Sequence, residues 1–110
     1  MNASKNNIKF NYLYRDAGNY KEFSEIIFIN QDSKSLEEIE LGIRRNLIEG
    51  EFFIPEKWNV PRLSFENYSP ELDHDYHEFE SLEITNEDST ESCDISTFLF
   101  GITICKTTEG

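Results

Sequence analysis

Residues 8–14, Ile-Lys-Phe-Asn-Tyr-Leu-Tyr, alternate without a break, so Ile8, Phe10, Tyr12 and Tyr14 share one face of an extended chain. Further on, Leu36, Ile39, Ile43 and Leu47 recur at the spacing of one helix stripe. A sheet with one apolar face and a helix with one apolar stripe each need a cover, and each can supply the other's. The expected fold class is therefore α+β: one main helix packed on a mostly antiparallel sheet.

The remaining elements follow from local chemistry. Arg15-Asp16-Ala17-Gly18-Asn19 is rich in turn formers and leads into a second strand at 22–30, whose Ile26, Ile27, Phe28 and Ile29 are apolar on both faces. Such a run fits a strand covered on both sides, or one in the middle of a sheet. The natural connection between these two strands is an antiparallel meander. The helix is expected over 35–49, opened by the capping-box spacing of Ser35 and Glu38 and closed by Gly50 as the C′ residue. Glu51-Phe52-Phe53-Ile54 reads as a short extended segment ended by Pro55. Pro55, Pro61 and Pro70 then punctuate a long connection that contains the strand-like Arg62-Leu63-Ser64-Phe65. Residues 76–84 read as a further strand, and the polar, acidic 86–94 as a mobile loop. Residues 95–105 are ambiguous. Asp94 could cap a helix carrying Ile95, Phe98 and Leu99, whereas Thr97, Ile102, Thr103 and Ile104 favour a strand.

The 110 residues suit a single acidic domain, 1–110, burying roughly two-thirds of its unfolded surface. Fifteen aromatic side chains (nine Phe, five Tyr, one Trp) argue against global disorder. Apolar runs are too short to span a bilayer. The opening MNASKNNIKF lacks the apolar stretch of a signal peptide, and two cysteines, Cys93 and Cys105, make no disulfide framework. A cytoplasmic location is expected.

Charge is distributed unevenly. The chain holds 22 Asp and Glu against 10 Lys and Arg, a formal net charge of −12. Residues 1–62 are close to balanced, whereas residues 63–105 hold eleven acids and no Lys or Arg. A negative field of this size repels nucleic acid and anionic membrane, so neither is an expected partner. Two readings remain: a negative face that attracts a cationic partner or a metal, or a solvated face that keeps the chain soluble, together with a flexible acidic loop.

Four pieces, Phe10–Lys21, Ser35–Glu40, Gly50–Phe53 and Asp73–Glu80, together resemble a family of small uncharacterised bacterial single-domain proteins, the resemblance covering residues 8–84. It implies a bacterial or phage-like cytosolic origin and transfers no active site.

Candidate sites are of three kinds. Glu66, Glu71, Asp73, Asp75, Glu78 and Glu80 are candidates for electrostatic steering of a basic protein, with Trp58 and Tyr68 as aromatic anchors. Nucleases and other nucleic-acid-binding proteins present such basic surfaces, so an inhibitor or immunity-like role is physically reasonable. Asp73, His74, Asp75 and His77 carry the imidazoles and carboxylates of a divalent-metal site, although in a strand His77 points away from Glu78. Arg15, Asp16 and Asn19 could bind a small polar ligand, or Arg15 and Asp16 could pair locally. No nucleophile elbow or phosphate loop occurs, so enzyme chemistry is not favoured and no cofactor is expected. Exposed edge strands leave a homodimer open.

Overall fold

The computed structural model describes residues 6–15, 18–63 and 76–109, with side chains as far as Ile104. Four antiparallel strands form one sheet: β1 (Asn7–Arg15), β2 (Lys21–Phe28), β3 (Phe52–Phe53) and β4 (His77–Thr85), in the order β2-β1-β4-β3. The helices are α1 (Leu36–Arg44), α2 (Pro55–Trp58) and α3 (Ile95–Glu109). The α+β expectation holds, with α3 as a second substantial helix.

The alternating strand β1 sits between β2 and β4, and its even-numbered side chains Ile8, Phe10, Tyr12 and Tyr14 are all fully buried. Directly opposite, Phe28 and Ile26 of β2 extend the same face. β2 ends the sheet order instead of lying mid-sheet. Of the two alternatives for its apolar run, the strand covered on both sides is the one found, locally: Ile27, directly opposite Lys9, is buried, and its backbone meets the loop that follows β4.

β4 solves a phase problem. In His77-Glu-Phe-Glu-Ser-Leu-Glu-Ile84, strict alternation would put His77 and Phe79 on one face and Leu82 and Ile84 on the other. The register shifts between Asn11 and Tyr12, where Ser81 pairs with Asn11 but Phe79 with Tyr12, leaving Glu80 as the extra residue of a β-bulge. Leu82 and Ile84 thereby oppose Phe10 and Ile8 on the apolar face.

Helix α1 begins as expected, with the Ser35 hydroxyl accepting the Glu38 N–H at 3.1 Å. The Glu38 carboxylate meets Lys34 Nζ. Ile39 and Ile43 are fully buried, each worth about 1.5–3 kcal/mol of transfer from water. The helix ends at Arg44, not at 49, because Asn46 takes over its end: Asn46 Nδ2 donates to the Gly42 carbonyl at 2.8 Å, and backbone N–H groups of Asn46 and Leu47 reach back only three residues. Gly50 is consequently not a helix cap. With Glu49 it occupies the centre of a turn in which both residues have positive φ (53° and 74°), joining Ile48 to Phe52.

β3 stands where the extended 51–54 segment was expected. Pro55 ends it and also opens α2, a single turn, with Asn59 in the left-handed region as its cap, so the connection begins with a helix where an irregular chain was expected. Arg62 and Leu63 belong to no strand, and Ser64 and Phe65 lie outside the described residues.

The ambiguous 95–105 is helical. Asp94 Oδ1 accepts the Ser96 N–H and Oδ2 the Gln31 N–H, both at 2.7 Å, which caps α3 and ties its start to the chain after β2. Ile95, Phe98 and Ile102 fall on one face and are buried against the core, Phe98 lying 4.5 Å from the Phe28 ring. Packing overrides the weak helix propensity of the β-branched residues. Gly42 brings α1 against α3: a Cβ there would meet Leu99 at 3.4 Å.

Candidate functional site

The outward face of the sheet carries most of the polar chemistry. β1 supplies the donors: Lys9, Asn11 and Arg15. Arg15 donates to both carboxylate oxygens of Glu78 on β4, Nε to Oε2 at 2.8 Å and Nη2 to Oε1 at 3.2 Å, and its Nη1 donates to Asn19 Oδ1 at 2.7 Å. The hydrogen bond to Glu78 holds the guanidinium pKa above its ordinary value. Asn11 Nδ2 donates to Glu83 at 2.8 Å and to Ser81 Oγ at 3.1 Å. Lys9 Nζ lies 2.6 Å from Glu87 and 3.6 Å from Glu25. The Lys9–Glu87 hydrogen bond raises the lysine pKa; the same bond, with help from the Thr85 hydroxyl, lowers that of Glu87.

This arrangement explains how a stretch without a single base folds: strand pairing lays it beside the bases of the first half of the chain. It also merges two groups of candidate residues. Arg15 and Asn19, considered for ligand binding, converge with Glu78, considered for steering, and satisfy one another. Glu78 is therefore neutralised within the fold, while Glu80 is exposed at the bulge. Asp16 lies outside the described residues, as do Glu66, Tyr68, Glu71, Asp73, His74 and Asp75.

His77 is fully buried on the apolar face, its ring 5.0 Å from that of Tyr14 and 5.9 Å from Phe53. Its Nε2 accepts the Leu63 N–H at 3.0 Å, so this imidazole pins the segment after α2 to β4 and spends one ring nitrogen doing so. Tyr12 has a parallel task, its hydroxyl donating to the Pro61 carbonyl at 2.8 Å; burial raises its pKa. Among the described residues no group of three or more His, Cys, Asp or Glu is placed to hold a metal ion. Trp58, considered as an interface anchor, is 6% exposed: it stacks on Phe53 at 4.7 Å and meets Phe98 edge-on.

Trp58 nevertheless borders a feature that sequence reading missed. A cavity of about 280 Å³ lies between β2, α2 and α3, open on one side. Phe28, Trp58, Phe98 and Ile102 give it apolar walls, and Lys57, Asn59, Glu91, Cys93 and Thr97 contribute polar groups. Thr97 and Gly101, four residues apart on α3, leave it room; a Cβ on Gly101 would touch nothing within 4 Å. Two small residues at that spacing inside an apolar helix were the available signal. The Cys93 thiol has a raised pKa, through burial first and then through Glu91 and Asp94.

Residues 86–94 carry neither helix nor strand, and they are tied to β2: the Thr90 and Glu91 N–H groups donate to the Ile27 carbonyl and Thr90 Oγ1 accepts the Ile27 N–H. No helix of the described residues is long and apolar enough to cross a membrane. No family model, curated protein or solved structure matches the chain.

Proposed function

We propose that this protein is a protein-binding module whose acidic segment docks on a basic partner, in the manner of an inhibitor or immunity protein. The observation that carries the reading is the surplus of acid in residues 63–105, set beside where the bases go. Lys9, Arg15, Lys34, Arg44 and Arg62 are all held in ion pairs with acids of the same chain. The fold thus consumes positive charge internally and leaves a net −12 to act outward. Glu66, Glu71, Asp73, Asp75 and Glu80 are the residues assigned to steering, with Tyr68 as the anchor; Trp58 is buried in the core and Glu78 is paired with Arg15, so neither is counted among them.

The test is capture of partners from a bacterial lysate with a salt-step elution, followed by affinity measurement on the purified partner. A basic protein bound tightly at low salt and at least tenfold more weakly once the Debye length falls below about 8 Å supports the reading. The combined variant Glu71→Gln, Asp73→Asn, Asp75→Asn, Glu80→Gln is expected to slow association. A partner whose binding ignores both salt and these changes removes it.

The cavity favours a second reading, a small-ligand protein taking an apolar molecule with one polar end. Trp58, the chain's sole tryptophan, lines that cavity, so a fluorescence screen reports occupancy directly. A ligand shift abolished by Gly101→Leu would establish it.

A further inference from the structure

We infer that the open half of the β2 edge is a self-pairing surface, through which two copies of this chain associate as an antiparallel β2–β2 dimer centred on Phe23. β2 ends the sheet, and its odd-numbered backbone groups point away from β1, as the Ile27 N–H and C=O show by bonding to Thr90. The same parity turns the N–H and C=O of Lys21, Phe23 and Glu25 outward. Among the described residues nothing pairs with them. The loop after β4 therefore closes one half of this edge and leaves the other half as a template.

The sequence of that half identifies its occupant. Two copies of Lys21-Glu-Phe-Ser-Glu25, run antiparallel about Phe23, place each Lys21 opposite the other copy's Glu25 and Phe23 opposite Phe23. All three positions are hydrogen-bonded pairs of the ladder, and all three side chains lie on the outward face, where Phe23 is 57% exposed. A shift of two residues in one direction sets Lys21 against Phe23 and loses a pair. In the other direction it calls on Ile27, which Thr90 already holds. Only the centred register matches charge and uses every free backbone group, and it has the two-fold symmetry of an isologous interface. At physiological ionic strength the repulsion between two chains of −12 is screened beyond about 8 Å, while contact pairs persist.

Sedimentation equilibrium over about 1 µM to 1 mM tests the inference, with a monomer–dimer equilibrium expected for the native chain. Lys21→Glu and Glu25→Lys each set like charges opposite one another at both ends of the pairing, and each alone is expected to weaken dimerisation by about tenfold or more. Mixing the two variants restores opposite charges at every position, so the mixture regains a dimer that neither forms alone. Circular dichroism confirms that both variants fold. Phe23→Pro, which deletes an N–H that the chain's own sheet does not use, is expected to fold and to stay monomeric. A native chain that is monomeric throughout, single variants that dimerise like the native chain, or a mixture that stays monomeric each overturns the inference.

Discussion

At position 77 a histidine that looks like a metal ligand among carboxylates is part of the core, because strand alternation sends it inward while Glu78 goes outward to Arg15. What its imidazole contributes is an acceptor for the Leu63 N–H. Truncation to alanine removes a packed ring and leaves that donor unpaired, so His77→Ala is expected to cost about 2–4 kcal/mol in urea denaturation. The loss should be the same with and without divalent ions; a loss that appears only in their presence would restore the metal reading. Cys93 is a second residue whose surroundings set its chemistry. Burial, Glu91 and Asp94 all disfavour the thiolate, so its pKa lies above the ordinary 9.0. In a Cys105→Ser background, its alkylation is expected to be slower than that of free cysteine at pH 8 and to rise only at higher pH. Glu91→Gln removes part of the negative field and should speed the reaction; an unchanged pH profile would show that Glu91 contributes nothing to the shift. The sequence announced His77 as chemically interesting and could not say in which direction, because strand parity near a bulge is not a property of neighbouring letters. For Cys93 the acids around it already pointed to a raised pKa, and only the burial that leads its causes was not legible.

Among the elements, β1 and the start of α1 were legible because each carries its own signal: alternation in one, a cap and a stripe in the other. The end of α1 was not. Gly50 is a good stop signal, but Asn46 reaches Gly42 and Thr103, the latter distant in sequence, and ends the helix earlier. The segment 95–105 was undecidable for a related reason. Its β-branched residues argue for a strand, and only the position of Phe28 and Trp58 in space rewards Phe98 and Ile102 for sharing a helix face. The helical arrangement makes a sharp distinction between residues that composition treats alike. Ile102 is 1% exposed and Phe100 67%. Ile102→Ala is expected to lower stability by about 2–4 kcal/mol, and Phe100→Ala by less than about 0.5 kcal/mol, in parallel denaturation curves. Equal losses would contradict the helix, since a strand with both residues buried treats them similarly.

For the molecule as a whole, the acid-only stretch looked from the sequence like a region divided against itself. The topology resolves part of this by setting β1 between β2 and β4, so that Lys9 and Arg15 each reach acids on neighbouring segments. These local pairs cannot cancel a net −12, and the residual repulsion must oppose folding at a range longer than any single contact. Salt acts on the two contributions in opposite directions. It weakens the exposed pairs, which are worth under about 1 kcal/mol each, and it screens the self-repulsion of every unpaired acid. Because acids outnumber bases by more than two to one, the second effect should win: the melting temperature is expected to rise as sodium chloride is raised from about 0.02 to 0.5 M, where the Debye length contracts to a few Å. Replacing Lys9 by Met should enlarge that rise, since it removes a pair that salt weakens and adds an unbalanced acid that salt shields. A melting temperature that falls with salt would mean that the ion pairs around β1 outweigh the repulsion, and that the surplus acid is held too far apart to act as one field on a partner.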